Sequence, residues 1–263
     1  MSQQYNSITS LYMKRRLSSK HVLEKKTVKS IVGPYIKGAK VLELACGFGF
    51  YTYDLVDWGA DSIVGVDVSS GMLEASRCLA ISHGRQISKV QLELGNVFEP
   101  TAYPNGPFDI VFGGWMLNYA PDLETLTQTF RNINLNLRPG GLFVGITCPP
   151  AKDPESWFSA GDMSLGEPSL IAQLVERVDD GIKLRIKLRN DGDDGFECYY
   201  LRQDVHEVAA KAAGLSGQIQ WKTTKELNHH DLVDDGSPER KRFIEEMAEN
   251  WFSAVVISER PMK

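Results

Sequence analysis

The stretch that decides the fold is Val41-Leu42-Glu43-Leu44-Ala45-Cys46-Gly47-Phe48-Gly49-Phe50-Tyr51, an apolar run followed by two glycines one residue apart. Residues 41–45 have the pattern of a buried strand, and the residues from Tyr51 onward have the pattern of a helix. Glycine lets the backbone approach a ligand where a Cβ atom would collide. The amide groups at the start of the next helix point to the same place. The stretch therefore predicts a nucleotide-binding turn.

Strand and helix patterns alternate on both sides of this turn, from residue 38 to residue 150. We expect strands over 41–45, 62–66, 90–94, 108–113 and 142–148, and helices over 51–58, 70–81 and 123–137. Ser69 or Ser70 is expected to cap the helix over 70–81. Because parallel strands need crossover connections, this order predicts a doubly wound, mostly parallel sheet with helices on both faces.

The flanking segments have other patterns. Apolar residues at helical spacing before a break at Gly33-Pro34 predict an N-terminal helical lid. Residues 151–180 predict irregular or short helical structure. Apolar and cationic residues alternate over 182–189 and predict a β-hairpin with 196–201, its cationic face forming a solvated sheet edge. A helix over 203–213 and strands over 218–223 and 251–258 are expected to complete the chain.

These patterns predict one α/β domain over residues 1–263, with a Rossmann-like sheet of seven strands. Its expected parts are the helical lid (1–37), a nucleotide-binding core (38–150), cap elements with the last helix (151–250) and the final strand (251–258).

Composition limits the partners. The chain has 29 basic and 34 acidic residues, and its formal net charge of −5 argues against nucleic acid as a main partner. Four widely spaced cysteines without a C-x-x-C pair or clustered histidines predict no metal site and reduced thiols in the cytoplasm. No apolar run approaches about 18 residues, and the N-terminus has no apolar signal segment, so no membrane association is expected.

The residue at the third position of the glycine motif helps to identify the nucleotide. A dinucleotide fingerprint has a third glycine, G-x-G-x-x-G, and Thr52 occupies that position in Gly47-Phe48-Gly49-Phe50-Tyr51-Thr52. The close packing of helix on strand that accompanies a bound pyrophosphate is therefore not indicated. An NAD- or FAD-dependent oxidoreductase remains as the alternative interpretation.

At Glu43-Leu44-Ala45-Cys46-Gly47-Phe48-Gly49 the chain resembles the class I S-adenosylmethionine-dependent methyltransferases. Further similar stretches follow in the family's order, and they are Val64-Gly65-Val66-Asp67-Val68-Ser69 with Met72-Leu73-Glu74-Ala75, Gly95-Asn96-Val97, Phe108-Asp109-Ile110-Val111 and Leu137-Arg138-Pro139-Gly140-Gly141. The resemblance implies S-adenosylmethionine as cofactor, S-adenosylhomocysteine as product, and methyl transfer to nitrogen or oxygen of a small molecule. A methyltransferase-like binding protein without this chemistry would carry the same motifs and is a second alternative.

A narrower similarity is to small-molecule methyltransferases of secondary metabolism of the toxoflavin N-methyltransferase type. It is based on Tyr5-Asn6-Ser7-Ile8, Ala45-Cys46-Gly47-Phe48-Gly49-Phe50 and Trp115-Met116-Leu117-Asn118-Tyr119-Ala120.

The resemblance also implies roles for individual residues. The carboxylate of Asp67 is placed to accept hydrogen bonds from both ribose hydroxyls, and Glu43 to hold the glycine turn or the ammonium region of the cofactor. Asn96 stands where aspartate is most frequent in the family, which predicts a weaker hydrogen bond to adenine. The expected cofactor-binding residues are Tyr12, Glu43, Ala45, Gly47, Gly49, Asp67, Val68, Met72, Asn96, Val97 and Gly113.

The sequence gives fewer indications of the residues that bind the methyl acceptor. Trp115 and Tyr119 follow strand four and are expected to flank a planar or cationic acceptor, with a purely core role as the other interpretation. His229 and His230 form the only histidine pair of the sequence. His229 is a candidate for substrate binding and His230 for the general base, unless both simply lie on the surface. Tyr119 is the second catalytic candidate.

Overall fold

The computed structural model describes residues 19–158, 163–164, 170–188, 195–215, 217, 219–222 and 254–259. Its helices are α1 (Ser19–Ile36), α2 (Thr52–Asp57), α3 (Ser70–Ser82), α4 (Leu123–Asn136) and α5 (Gln203–Ala212). Its strands are β1 (Lys40–Leu44), β2 (Ser62–Asp67), β3 (Val90–Leu94), β4 (Phe108–Gly114), β5 (Leu137–Thr147), β6 (Met163–Ser164), β7 (Leu170–Val178), β8 (Gly181–Leu188), β9 (Gly195–Leu201), β10 (Gln220–Lys222) and β11 (Ala254–Glu259). Short 3₁₀ helices cover Ile87–Lys89, Met116–Tyr119 and Pro154–Phe158.

The central sheet has seven strands in the order β10-β11-β5-β4-β1-β2-β3. Strands β1 to β5 pair with one another in parallel, whereas β11 pairs antiparallel with β5 and β10 pairs antiparallel with β11. The predicted mostly parallel sheet is therefore confirmed. Because β1 lies between β2 and β4, the order reverses beside β1, and a crevice forms at the carboxyl ends of such strands.

Both faces of this sheet are covered, as the alternation of side chains along a strand requires. Leu42 and Leu44 of β1 pack in one hydrophobic cluster, which also contains residues of α4 and α5. Val41 of the same strand faces the opposite cluster, which contains residues of α1 and α2. The sheet is thus buried between helical layers. The carboxyl ends of its parallel strands lie along one edge.

The first helix continues past the predicted break. The expected break at Gly33-Pro34 is wrong, because α1 continues to Ile36 with Pro34 in its last turn. Proline removes a backbone donor and disturbs the preceding turn. Val32 and Ile36 are both buried one turn apart, and their packing offsets this cost.

A second sheet follows β5, with strands in the order β6-β7-β8-β9, all antiparallel. The predicted pairing of β8 with β9 is confirmed. The expectation of irregular structure through residue 180 is wrong, because β7 is a strand. Its register shifts between Leu174 and Glu176. Such a bulge interrupts the two-residue alternation that would have indicated a strand.

The cationic face of β8 is not the sheet edge that the sequence indicated, because β8 lies between β7 and β9. Lys183 lies 3.5 Å from a carboxylate oxygen of Glu176 on β7 and 3.0 Å from one of Glu197 on β9. Arg185 also pairs with Glu197, at 2.8 Å. The cations therefore serve as cross-strand partners within the sheet.

Within the described ranges, no helix combines the length and the apolar character needed to cross a membrane.

The cap of α3 generates a test. Ser69 is the N-cap, since its hydroxyl oxygen accepts a hydrogen bond from the Met72 amide at 3.2 Å, whereas Ser70 is exposed in the first turn. We expect Ser69→Ala to lower the free energy of unfolding by about 1 kcal/mol and Ser70→Ala to change it little, as measured by urea denaturation. Equal effects of the two substitutions would contradict this assignment of the cap.

Candidate functional site at the carboxyl edge of the central sheet

The glycine turn after β1 has a left-handed backbone at three positions, with φ of 56° at Ala45, 56° at Gly47 and 84° at Gly49. This region favours glycine, and Ala45 adopts it only because its surroundings hold it there. At Gly49 a Cβ atom would also lie 2.5 Å from the hydroxyl oxygen of Ser76 and 2.9 Å from the ring of Tyr53. The second glycine of the motif is therefore required by both conformation and space.

Asp67 fixes this turn from the end of β2. Its side chain is 8% exposed, and its two carboxylate oxygens accept hydrogen bonds from the amides of Gly47 at 2.8 Å and Ser69 at 2.9 Å. Burial raises the pKa of Asp67, and the backbone donors offset part of that rise. Each carboxylate oxygen has further acceptor capacity. One buried group thus positions the turn and also offers acceptors to hydroxyl groups at the strand end.

Glu43 is tied to the residue that replaces the third glycine. Its side chain is 2% exposed and accepts a hydrogen bond from the hydroxyl of Thr52 at 2.6 Å. Thr52 is the first residue of α2, so this bond joins the helix to β1 directly. Thr52 therefore has a structural role at the position of the missing third glycine, and the motif alone did not reveal this role. Burial raises the pKa of the neighbouring Cys46 thiol, and the charges of Glu43 and Asp67 raise it further.

The residues expected to contact adenine lie at the ends of β2 and β3. Val68 is 37% exposed, whereas Met72 is 2% exposed and packs in the protein interior. The side chain of Asn96 holds its own turn, since its amide donates to Glu99 at 2.8 Å and its oxygen accepts from the amide of Phe98 at 3.2 Å. Val97 is buried. Val68, Asn96 and Val97 follow the ends of β2 and β3, whereas Met72 lies in the first turn of α3. The contacts of all four residues with adenine stay predictions.

The turn after β4 contains a second strained residue. Trp115 follows Gly113 and Gly114 with a φ of 66°, and its amide donates to the carbonyl of Ile146 at 2.8 Å. Its indole nitrogen donates to Glu24 of α1 at 3.2 Å. The hydroxyl of Tyr51 donates to the other oxygen of the same carboxylate. Sequence reasoning missed Glu24, because its partners lie 27 and 91 residues away along the chain.

The two aromatic residues expected at the acceptor lie in different clusters. Trp115 packs with the cluster that contains residues of α1 and α2. Tyr119 packs against the apolar face of the second sheet, with its ring centroid 6.4 Å from that of Phe196. Burial raises the pKa of the Tyr119 phenol well above its usual range. Tyr119 therefore keeps its proton near neutral pH.

Asn118 was not singled out as a site residue, and it joins the two sheets. It is buried, donates to the sulfur of Cys148 and to the carbonyl of Tyr199, both at 3.2 Å, and accepts from Thr147 at 3.0 Å. The second sheet is thus attached to the ends of β4 and β5. The run Trp115-Met116-Leu117-Asn118-Tyr119 marked this region, although nothing in it distinguishes a hydrogen-bonding hub from a loop residue.

The structure brings together Glu43, Ala45, Gly47, Gly49, Asp67, Val68, Asn96 and Gly113 at the carboxyl ends of neighbouring parallel strands. Tyr12, His229 and His230 lie outside the described residues. In the part of the chain that the structure describes, no group of three or more His, Cys, Asp or Glu residues is placed to hold a metal ion.

Comparison with known proteins agrees with this geometry. A family described as a methyltransferase domain matches residues 41–141. A demethylmenaquinone methyltransferase of Symbiobacterium thermophilum is 37% identical over 125 residues, which are 46% of this chain and 46% of that protein. The chain spans about half the length of the curated relatives it matches.

Solved structures extend the similarity over the whole fold. An S-adenosylmethionine-dependent methyltransferase from Clostridium acetobutylicum aligns with a TM-score of 0.65 and 16% identity, covering 98% of this chain and 99% of the other. The cyclase SpnF aligns with a TM-score of 0.61 and 14% identity, covering 100% and 96%. Residues 41–141 therefore match a methyltransferase domain, and the chain shares its fold with the S-adenosylmethionine-dependent methyltransferase from Clostridium acetobutylicum.

The pKa values of Asp67 and Asp109 are shifted in opposite directions, which can be tested through the pH dependence of stability. The raised pKa of Asp67 means that its contribution to stability falls as the pH rises from its ordinary 3.8 towards the raised value. Burial also raises the pKa of Asp109, but the hydrogen bonds and charges of Arg138 and Lys40 outweigh it and the pKa is lowered. The contribution of Asp109 is therefore present above 3.8 and lost as the pH falls through its lowered pKa.

We expect the difference in unfolding free energy between the unaltered protein and Asp67→Asn to decrease with rising pH, and the corresponding difference for Asp109→Asn to increase. Urea denaturation between about pH 3 and pH 7 measures both. Parallel pH profiles for the two variants would contradict the assignment.

The cysteines allow a second test. Cys78 is exposed, whereas Cys46 and Cys198 are buried. Burial raises the pKa of Cys148 to about 12. Because the thiolate is the reactive form, we expect Cys78 to react first with a thiol-specific chromophoric reagent at pH 8 and the other three cysteines to react only after unfolding. A Cys78→Ser variant should lose the rapid phase, and its persistence would contradict the placement.

Proposed function

We propose that the protein is an S-adenosylmethionine-dependent methyltransferase that methylates nitrogen or oxygen of a small molecule. The observation that carries the proposal is the contact of Asp67 with Gly47, since it joins a ribose-binding acidic position to the glycine turn. The methyltransferase domain over residues 41–141 covers both residues. The cofactor, when bound, supplies an electrophilic methyl group on a sulfonium.

Residues at the ends of neighbouring strands would bind different parts of this cofactor. Asp67 accepts hydrogen bonds from the ribose hydroxyls, as an ionised carboxylate does well. The carbonyls of Ala45 and Gly113 accept from the ammonium group at the methionine end. Val68 contacts the adenine face, and Asn96 with Val97 contacts its edge, whereas Met72, which is 2% exposed, is assigned to packing in the protein interior. Glu43 supports the turn through Thr52.

The same contacts support the proposed division of the chain. The segment 1–37 includes α1, whose Glu24 reaches the turns after β1 and β4, and this supports its role as a lid. The segment 151–250 includes the second sheet, which Asn118 attaches at the strand ends, and this supports its role as a cap. The core at 38–150 and the final strand at 251–258 complete one domain.

The surroundings of Tyr119 favour a small, largely apolar acceptor. Tyr119, Phe196 and Cys148 pack against one apolar cluster of the second sheet. An acceptor bound beside this cluster would be shielded from water and aligned, and alignment alone accounts for much of the rate of a displacement reaction. Because Tyr119 retains its proton, we assign it to hydrogen bonding and packing and not to proton removal. His230 stays the predicted base, with His229 beside it.

The finer identity of the acceptor stays a proposal. The domain match ends at residue 141, before the second sheet begins, and so it concerns the cofactor core and not the acceptor. The relatives that are demethylmenaquinone methyltransferases favour testing a quinol-type hydroxyaromatic acceptor. The toxoflavin-type resemblance favours testing a ring nitrogen. Both belong in the first acceptor panel.

One other function is supported by a specific observation. The cyclase SpnF shares the fold along nearly the whole of both chains. This favours, as a second candidate, a reaction other than methyl transfer on the same scaffold. Binding of S-adenosylhomocysteine without any methylated product from the acceptor panel would favour that candidate or a purely binding role.

The proposal is tested by titration calorimetry with S-adenosylhomocysteine. We expect binding at submillimolar concentration and a loss of about tenfold or more in affinity for Asp67→Ala, because hydrogen bonds to a charged group each contribute about 1.5–3 kcal/mol. Asp61→Ala is the matched control, since Asp61 is exposed just before β2. No binding by the unaltered protein, together with a thermal shift caused by NADH, would replace the proposal with the oxidoreductase alternative.

A further inference from the structure

Glu24 is a buried carboxylate that joins three separate parts of the chain. Its side chain is 1% exposed. One oxygen accepts a hydrogen bond from the hydroxyl of Tyr51, and the other accepts from the indole nitrogen of Trp115 at 3.2 Å. A buried carboxylate is costly unless donors compensate it. The two donors therefore hold the carboxylate, and the carboxylate in turn holds both aromatic side chains.

Both donors belong to backbone turns at the candidate site. Tyr51 closes the glycine turn at the N-cap position of α2, and its ring centroid lies 4.9 Å from that of Phe112 on β4. Trp115 begins the turn after β4 with a left-handed backbone. Between them a Cβ atom at Gly114 would lie 3.3 Å from the Tyr51 ring. The distance between the turns after β1 and β4 therefore depends on the positions of the Tyr51 and Trp115 side chains.

The neighbouring residue fastens the same helix to α2. Lys25 lies 2.5 Å from a carboxylate oxygen of Asp54, and its ammonium group is 4.0 Å from the centre of the Phe50 ring. The turn of α1 that contains Glu24 and Lys25 is thus docked on the glycine turn by both an ion pair and a hydrogen-bonded bridge.

We propose that Glu24 is a positioning residue that sets the distance between the turns after β1 and β4, so that cofactor affinity depends on the docking of α1. The inference rests on the proposed role of these turns in holding the methionine end of the cofactor. Two donors need two acceptor oxygens, which a carboxylate supplies. The amide of glutamine supplies one oxygen for the indole N–H of Trp115, and its NH2 group can only donate to the Tyr51 hydroxyl, so both charge-assisted hydrogen bonds are lost.

The test is a double-mutant cycle measured as affinity for S-adenosylhomocysteine. We expect Glu24→Gln to weaken binding by about tenfold, because the charge-assisted hydrogen bonds that hold both turns become neutral ones. Tyr51→Phe should weaken binding by itself, and adding it to Glu24→Gln should cost less than the sum of the two single losses, because both substitutions remove the same contact. Additive losses in the double variant would overturn the proposal.

A matched variant separates positioning from general stability. Val205 is buried on α5, in the cluster on the opposite face of the sheet from α1. Val205→Ala should lower the melting temperature without changing the affinity for S-adenosylhomocysteine. If Val205→Ala and Glu24→Gln weaken binding equally for an equal loss of melting temperature, Glu24 acts through stability alone and the proposal fails.

The remaining outcomes are also informative. If the unaltered protein does not bind S-adenosylhomocysteine, the proposed function fails and the positioning role fails with it. If it binds and Glu24→Gln binds equally well, only the positioning role fails. If Glu24→Gln does not fold, the cycle of Tyr51→Phe with Trp115→Phe replaces it. Non-additive effects on affinity support the bridge through Glu24, and additive effects overturn it.

Discussion

The carboxylate of Asp67 is the interaction on which the candidate site depends, because it joins the ends of β1 and β2 at one point. It accepts from the amide of Gly47 in the left-handed turn and from the amide of Ser69, the cap of α3. Burying a charge is unfavourable, and these two donors compensate part of that cost. The pKa of Asp67 is raised because burial outweighs them. The group that organises the turn is therefore buried at an electrostatic cost.

Three further buried polar side chains hold the rest of the structure to the same edge. Glu43 ties α2 to β1 through Thr52, Glu24 ties α1 to the turns after β1 and β4, and Asn118 ties the second sheet to β4 and β5. Hydrogen-bonded polar groups in an apolar interior specify one arrangement more strictly than apolar contacts do. Each added layer is therefore fixed in register with the strand ends, where a bound nucleotide and its partner would meet.

Local periodicity predicted much of the fold because the central strands are short and apolar and their connections are helical. The strand at residues 90–94 and the start of α4 at Leu123 agree with the pattern. Prediction failed where a local rule was outweighed by packing or interrupted by a bulge. Packing of Val32 and Ile36 carried α1 past Pro34, and the register shift after Leu174 hid β7. For the site, the glycine turn and Asp67 were readable as a motif, but the contacts of Trp115 and Tyr119 with different clusters were not.

The sequence by itself determined the parallel sheet, the glycine turn and the acidic residue at the end of β2, because these features depend on residues that are neighbours along the chain or lie at a regular spacing. Only the tertiary structure decided the partners of Glu24, Thr52 and Asn118. Glu24 and Trp115 lie 91 residues apart, and Asn118 and Tyr199 lie 81 residues apart. A contact over such a separation leaves no periodic trace, since it arises only when the sheet brings distant strand ends to one edge.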